Sequence, residues 1–214
     1  MSELESPEPH VVIVLADISG SMTVDGKLEA LNLSVRETAR SFDDEALHGG
    51  ETLLGVVTFG GDQAQVALAP VAAGRFAWRA EAAQGRTPMG RAFELTAELA
   101  ADPAPDGGEP AASDEPMTLI LVSDGRPTDD WAAGLAVLDA SPRGAAASRF
   151  AIAIGADADR AVLGRFAARA GGRVFTAEQT REIAECFQWV TLAVAGRRLR
   201  HLRSGRTGAT GRPR

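Results

Sequence analysis

The sequence is poor in cysteine and histidine and has no long apolar run, and each scarcity excludes a class of protein. A single cysteine, Cys186, rules out an intramolecular disulfide and a cysteine-rich metal site. The three histidines, His10, His48 and His201, lie too far apart in the sequence to suggest a zinc motif. No apolar run approaches the roughly 18 residues of a membrane span. The N-terminus, MSELESPEPH, is acidic and lacks the apolar core of a signal peptide, so we expect a cytoplasmic protein.

Charge is unevenly distributed along the chain. From Gly196 to the end there are seven arginines and no acidic residue, so the first 195 residues hold all 29 acidic residues and 15 of the 22 basic ones. The basic segment has two candidate targets, a nucleic acid and an anionic partner. No aromatic residue interleaves its arginines, which argues against base stacking on a nucleic acid. We therefore divide the chain into an acidic N-terminal extension (1–9), one domain (10–195) and a basic tail (196–214). The first part of the tail can extend the last helix, and we expect the rest to be disordered.

Short apolar runs rich in β-branched residues predict six strands, because strands covered on both faces read as continuous apolar segments. The predicted strands are Val11–Ala16, Leu53–Phe59, Gln65–Ala69, Met117–Val122, Phe150–Ile154 and Gly172–Phe175. A Gly60–Gly61–Asp62 turn joins the second and third strands, so these two form a predicted hairpin at one edge of the sheet.

Amphipathic patterns between the strands predict helices. One begins after Pro88 and another runs from Asp129 to about Asp139, with Thr128 as its N-cap and Asp129 and Asp130 as first-turn charges. The acidic, proline-rich stretch 102–116 is a predicted surface loop. Alternating strands and helices predict an α/β fold: a doubly wound, mostly parallel six-stranded sheet with one antiparallel edge strand and helices on both faces. We expect the three tryptophans, Trp78, Trp131 and Trp189, to pack in the core or between helices, with Trp131 as a candidate for the rim of a site.

Oxygen-bearing side chains gather where predicted strands end and helices begin. These residues are Asp17, Ser19, Ser21, Thr87 and Asp124. In open α/β sheets, ligands bind beyond the carboxyl ends of the strands, so these positions form a candidate site. Carboxylates and hydroxyls without histidine or thiolate suit a hard divalent cation, Mg²⁺ or Mn²⁺, and an outside carboxylate would fill an open coordination position. The alternative is a turn and two helix caps, because Ser, Thr and Asp are common capping residues.

The same residues resemble the metal-ion-dependent adhesion site (MIDAS) of von Willebrand factor A (VWA) domains, whose motif is Asp-x-Ser-x-Ser followed by a separate Thr and a separate Asp. Here the motif reads DISGS at 17–21, Thr87 within GRTPMG, and Asp124 within VSDGRPTDD. The resemblance covers roughly residues 10–195 and implies a Rossmann-like VWA fold. It implies direct ligation by Ser19 and Ser21, and ligation by Asp17, Thr87 and Asp124 either directly or through water. One departure is Arg86, which stands where glycine often precedes the threonine.

The stretches GKLEALN, SDGRPTDDW and CFQWV are most similar to the bacterial TerY-like group, which is linked to tellurium resistance and chemical stress. That resemblance implies a non-enzymatic, metal-dependent protein-interaction module. Its partner would supply an Asp or Glu to the cation, and a kinase or phosphatase of the same system is a candidate.

Two other functions stay open. The first is a metal-dependent hydrolase that uses the same cation, and the second is a purely structural ion. A phosphatase with Asp17 as nucleophile is disfavoured, because such enzymes usually carry a second acid where Ser19 stands and a lysine near the phosphate, and the chain has only Lys27.

Overall fold

The computed structural model describes residues 9–49, 51–78, 85–101, 117–124, 126–156, 158–169 and 172–207. Six strands are present among these residues: β1 (His10–Asp17), β2 (Thr52–Gly60), β3 (Gln63–Ala72), β4 (Thr118–Ser123), β5 (Ser148–Ile154) and β6 (Arg173–Ala177). The α-helices are α1 (Lys27–Gly49), α2 (Met89–Ala101), α3 (Trp131–Ala140), α4 (Pro142–Ala146), α5 (Arg160–Ala167) and α6 (Thr180–Thr207). Two 3₁₀ segments span Gly20–Gly26 and Ala73–Arg75.

The strands form one sheet in the order β3-β2-β1-β4-β5-β6. All neighbouring pairs are parallel except β2 and β3, which form the antiparallel hairpin predicted at the edge. The predicted α/β architecture, with a mostly parallel six-stranded sheet and one antiparallel edge strand, is therefore confirmed. The chain order reverses direction between β1 and β4, so these two central strands mark the switch point at which such sheets bind ligands.

Alternation along the buried strands separates two hydrophobic cores, one on each face of the sheet. Val12 and Val14 of β1 contribute to the core that α1 and α6 cover. Ile13 and Leu15 face the other side and contribute to the core beneath α2, α3 and α5. Helices therefore cover both faces, as predicted. They hold the carboxyl ends of the central strands β1 and β4 side by side at one end of the sheet.

Three details differ from the sequence-based expectations. The N-cap of α3 is Asp130, whose carboxylate accepts a hydrogen bond from the Ala133 amide, so the prediction of Thr128 as the cap was wrong. Trp189 is 63 % exposed on α6 and is not a core residue, whereas Trp78 is buried and Trp131, the first residue of α3, packs partly buried against the core. The short helix α4 was not predicted.

Some expectations fall partly or wholly outside the described part of the chain. Helix α6 continues to Thr207 and so enters the segment that we assigned to the basic tail. The predicted loop 102–116, residues 208–214 of the tail and residues 1–8 of the N-terminal extension lie outside the described residues. None of the helices among the described residues combines the length and the apolar character needed to cross a bilayer.

Candidate metal centre

The first part of the site is the turn that follows β1. Asp17, the last residue of β1, is completely buried, and its Oδ1 accepts a 2.8 Å hydrogen bond from the amide of Ser19. The hydroxyl oxygens of Ser19 and Ser21 lie 3.1 Å apart. Ser19 is buried and Ser21 is exposed, so the two hydroxyls form a line from the interior to the surface.

The second part comes from β4, the parallel neighbour of β1. The register pairs Ala16 with Val122, so Ser123 lies beside Asp17 and donates a 2.5 Å hydrogen bond from its hydroxyl to Asp17 Oδ2. Asp124 follows directly and is nearly buried. Its Oδ1 is buried and has no hydrogen-bond partner among the described residues. A buried carboxylate oxygen without a donor is costly, and this orphan oxygen points to a ligand outside the chain.

The third part is the segment that carries Thr87 into α2. Its start is attached to the β1 turn, because the Gly20 amide donates to the Gly85 carbonyl at 3.0 Å. Thr87 is buried, and its amide donates to the Thr128 hydroxyl at 3.1 Å. The Thr128 amide in turn donates to the Thr87 carbonyl at 2.9 Å. This reciprocal pair of hydrogen bonds fixes Thr87 to the loop that follows Asp124.

Asp129 strengthens the same connection, in a role that sequence analysis missed. Its two carboxylate oxygens accept hydrogen bonds from the Gly90 amide at 2.9 Å and the Arg91 amide at 3.0 Å, so it caps the start of α2. We had expected a charge in the first turn of its own helix. The cap requires α2 and α3 to approach closely, and a Cβ on Gly90 would lie only 2.6 Å from the Asp130 carbonyl oxygen. Only the position of Thr128 and Asp129 shortly after Asp124 hinted at this link.

Electrostatics single out Asp17 among the acids of the site. Burial raises the pKa of Asp17 to about 6, against the opposing effect of the hydrogen bonds from Ser123 and Ser19. The neighbouring charge of Asp124 raises the pKa of Asp17 further. Neither acid forms an ion pair within the described part of the chain. Two nearby buried carboxylates that have no basic side chain beside them favour the binding of a positive ion.

The donor set also indicates which kind of ion fits. Across the residues that the structure describes, no group of three or more His, Cys, Asp and Glu side chains comes together as a metal cluster. The site instead combines two carboxylates with hydroxyls, which are hard oxygen donors suited to Mg²⁺ or Mn²⁺ and poorly suited to a structural zinc ion. The predicted residues Asp17, Ser19, Ser21 and Asp124 lie together in the fold, and hydrogen bonds attach the Thr87 segment to both of their loops.

The rim carries opposite charges. Arg86 lies 3.8 Å from Asp62 of the β2–β3 turn, and both side chains are largely exposed. Arg86 is therefore shared with an acidic neighbour at the surface. Such an exposed pair contributes little to stability, so the arginine remains available to an incoming acidic group.

No protein-family model matches the chain, and no curated protein matches it. Solved structures do share its fold. A von Willebrand factor type A protein from Catenulispora acidiphila is 19 % identical with a TM-score of 0.64, and the match covers 86 % of this chain and 42 % of that one. The ArnB paralog VWA2 from Sulfolobus acidocaldarius is 16 % identical with a TM-score of 0.63, over 84 % of this chain and 44 % of that one.

Proximal thread matrix protein 1 from the mussel byssus, in a structure with a zinc-occupied MIDAS motif, is 18 % identical with a TM-score of 0.59. That match covers 86 % of this chain and 47 % of the mussel chain. This chain thus spans less than half the length of each of these three proteins. The likeness establishes the class of fold: the chain has the architecture of a VWA domain.

Proposed function

We propose that this protein is a metal-dependent protein-interaction module. In this proposal Asp17, Ser19, Ser21, Thr87 and Asp124 hold a Mg²⁺ or Mn²⁺ ion, and an Asp or Glu of a partner protein completes its coordination. The observation that carries the proposal is a pair of buried carboxylates that form no ion pair with a basic side chain among the described residues, one of them with an orphan oxygen, beside two adjacent hydroxyls. When bound, the ion supplies positive charge and an open position for a carboxylate.

The chain's own hydrogen bonds prepare the site for this task. Ser123 and the Ser19 amide hold both oxygens of Asp17 in fixed directions, while Thr128 fixes the Thr87 backbone. Ligands held by such outer contacts lose little freedom when an ion binds, which favours affinity. The exposed Ser21 lies at the surface, where a partner can approach the ion.

We propose that the module is not catalytic. Hydrolysis would need a general base or nucleophile beside the ion in addition to its ligands. The only histidine with a described side chain, His10, lies at the opposite end of β1 and pairs with the Thr118 hydroxyl at 3.1 Å. Asp17 and Asp124 are needed as ligands, and the two other acids near the site are engaged elsewhere, Asp129 with the Gly90 and Arg91 amides and Asp62 with Arg86.

The biological setting that we propose rests on the sequence resemblance to the TerY-like group. In this setting the module works in the bacterial cytoplasm, in a stress response related to tellurium resistance. Its partner is an acidic segment of a kinase or phosphatase of the same system. The carboxylate requirement of the site is the feature that selects such a partner.

Capture from a native lysate tests the proposal. Immobilised wild-type protein, Asp124→Ala and the cap variant Asp130→Ala are compared with Mg²⁺ and with EDTA. We expect the wild type and Asp130→Ala to retain the same protein in Mg²⁺ and to release it in EDTA, whereas Asp124→Ala retains none. Capture that survives EDTA would instead favour a structural ion. Hydrolysis of phosphoesters in Mn²⁺ that Asp17→Ala abolishes would favour the hydrolase.

A further inference from the structure

Helix α6 continues well beyond the last of its described side chains that is buried. It has 28 residues, which corresponds to about 42 Å, and among its described side chains the last buried one is Val194. The buried stripe of Ile183, Phe187, Val190 and Val194 covers the sheet. The helical backbone then continues for 13 residues, to Thr207.

An apolar edge lies just before that continuation. Trp189 and Leu192 are 63 % and 62 % exposed, more than any other large hydrophobic residue with a described side chain. Leu192 borders a groove of about 600 Å³ between α1 and α6, and Phe187 also lines this groove. Exposed apolar side chains beside a groove are typical of surfaces that bind another protein.

The groove also contains an unsatisfied polar group. Ser34 of α1 lines it and is only 2 % exposed, and its hydroxyl has no hydrogen-bond partner among the described residues. Thr38 and Thr191 line the same groove, and Thr191 donates to the Phe187 carbonyl within its own helix. A buried hydroxyl without a partner is unfavourable, and it becomes available to a ligand only when the Ser34 side chain rotates toward the groove.

Charge indicates what the ligand is. Between Arg197 and Arg206 the helix carries five arginines and no acidic residue, whereas the preceding 195 residues hold all 29 acids. A flat anionic membrane or a nucleic acid would bring its phosphates against this acidic body as well as the arginines. A helix lying in the groove would meet one acidic and one basic residue of its lining, Glu37 and Arg40, beside the arginine-rich continuation of α6.

We propose that the groove between α1 and α6, together with the arginine-rich end of α6, is a second docking surface, which binds an acidic amphipathic helix of a partner protein. Apolar residues of that helix pack on the exposed side chain of Leu192 at the border of the groove, and its acidic residues complement the charge of the arginine-rich end of α6. The surface lies on the face of the sheet that α1 and α6 cover, and neither Asp17 nor Asp124 lines it. Its occupancy therefore requires no cation.

Fluorescence anisotropy with the full chain tests this surface. The probe is a fluorescein-labelled 21-residue peptide of Leu and Glu, with Leu at heptad a and d positions. A matched peptide carries Gln in place of Glu. We expect the acidic peptide to bind in EDTA as well as in Mg²⁺, and the Gln peptide to bind about tenfold more weakly or worse.

Variants then locate the binding. Leu192→Ser should weaken the acidic peptide about fivefold or more, and a triple variant with Arg197→Glu, Arg198→Glu and Arg200→Glu should weaken it further and remove its salt dependence. Val137→Ser, a control at a 48 % exposed position on α3, should change nothing. Circular dichroism checks that each variant is folded.

Equal peptide affinity in the wild type and Leu192→Ser would overturn the proposal. Binding of phosphatidylserine vesicles or duplex DNA in the absence of peptide binding would also overturn it. Loss of peptide binding in EDTA would do the same, because it would assign the peptide to the candidate metal centre. Failure of the metal-dependent function leaves this surface untouched, since Asp124→Ala should bind the peptide normally.

Discussion

At the amino end of the sheet, the Arg149 side chain is completely buried and has its counter-charge beside it, although its Nε has no hydrogen-bond partner among the described residues. Its guanidinium lies 2.8 Å from an Asp139 oxygen, donates to the Gly144 carbonyl at 2.8 Å, and stacks over the Phe166 ring at 5.4 Å. Arg169 shares the same Asp139. At the carboxyl end, the acids Asp17 and Asp124 are also buried, but neither has a basic side chain in an ion pair among the described residues, and the cited hydrogen bonds serve Asp17 alone.

The contrast separates a structural charge from a functional one. Burying an ion is costly unless a counter-charge accompanies it, and the amino end of the sheet meets that requirement from within the chain. The carboxyl end keeps two like charges together and leaves one oxygen without a donor. In the proposed function the counter-charge comes from solution, and this is how a site for an exchangeable cation differs from a buried ion pair.

The largest effect that we predict is at the amino end. Arg149→Ala leaves Asp139 without its buried partner and should lower the free energy of unfolding by about 3–5 kcal/mol, measured by urea denaturation. Arg169→Ala removes a half-exposed partner of the same acid and should cost about 1 kcal/mol or less. Equal losses in the two variants would contradict the assignment of Arg149 as a structural charge.

At the carboxyl end the expected loss is in binding. Asp124→Ala should weaken Mg²⁺ binding by about 100-fold or more in calorimetry, because residues that merely orient ligands already cost 10–100-fold. Asp130→Ala is the matched control, since it removes the α3 cap and should cost about 1 kcal/mol of stability without changing Mg²⁺ affinity. Unchanged Mg²⁺ binding in both Asp17→Ala and Asp124→Ala would refute the site.

A pH dependence follows from Asp17. Folding raises the pKa of this carboxyl from 3.8 to about 6, so the folded chain holds the proton more tightly than the unfolded chain. This stabilising contribution is full below pH 3.8 and is lost as the pH rises through about 6. Above pH 6 the buried charge therefore destabilises the cation-free protein.

Magnesium should reverse that loss, raising the melting temperature at pH 7.5 much more than at pH 5. Below pH 6 its affinity should fall by up to about tenfold per pH unit, because a proton competes for Asp17. Thermal melts of the wild type and Asp17→Asn at both pH values check this. A magnesium effect on the wild type that is equal at the two pH values would show that Asp17 does not take part.

The smallest effect concerns the positioning of Thr87. Thr128→Val removes the hydroxyl that accepts from the Thr87 amide and should weaken Mg²⁺ binding by about tenfold. Thr128→Ser keeps that hydroxyl and should restore the affinity. If the valine variant binds Mg²⁺ as tightly as the wild type, the contact serves stability alone.

Much of this account could be predicted from the sequence, because its physical causes are local. Buried parallel strands read as apolar runs, and the hairpin turn between β2 and β3 is visible as Gly60–Gly61–Asp62. The alternation in Asp17-x-Ser19-x-Ser21 and the position of Asp124 after β4 were enough to place the two acids at the carboxyl end of the sheet. The parallel register of β1 and β4 then brings them together.

Contacts between distant segments could not be predicted. Thr128 and Asp129 looked like the start of their own helix, yet they bind Thr87, Gly90 and Arg91, because the glycine contact lets α2 approach α3. Trp189 looked like a core residue because tryptophan is usually buried. Its exposure depends on which face of α6 meets the sheet, and the buried stripe from Ile183 to Val194 occupies that face.

The most direct test of the central claim is anomalous diffraction from crystals of this protein soaked in MnCl₂. The account predicts one strong manganese peak at about 2.1–2.2 Å from the hydroxyl oxygens of Ser19 and Ser21, beside Asp17 and Asp124. Crystals of Asp124→Ala should lack the peak. Absence of manganese from this edge in the wild type, or a peak only at a surface acid such as Asp62 or Glu94, would contradict the account.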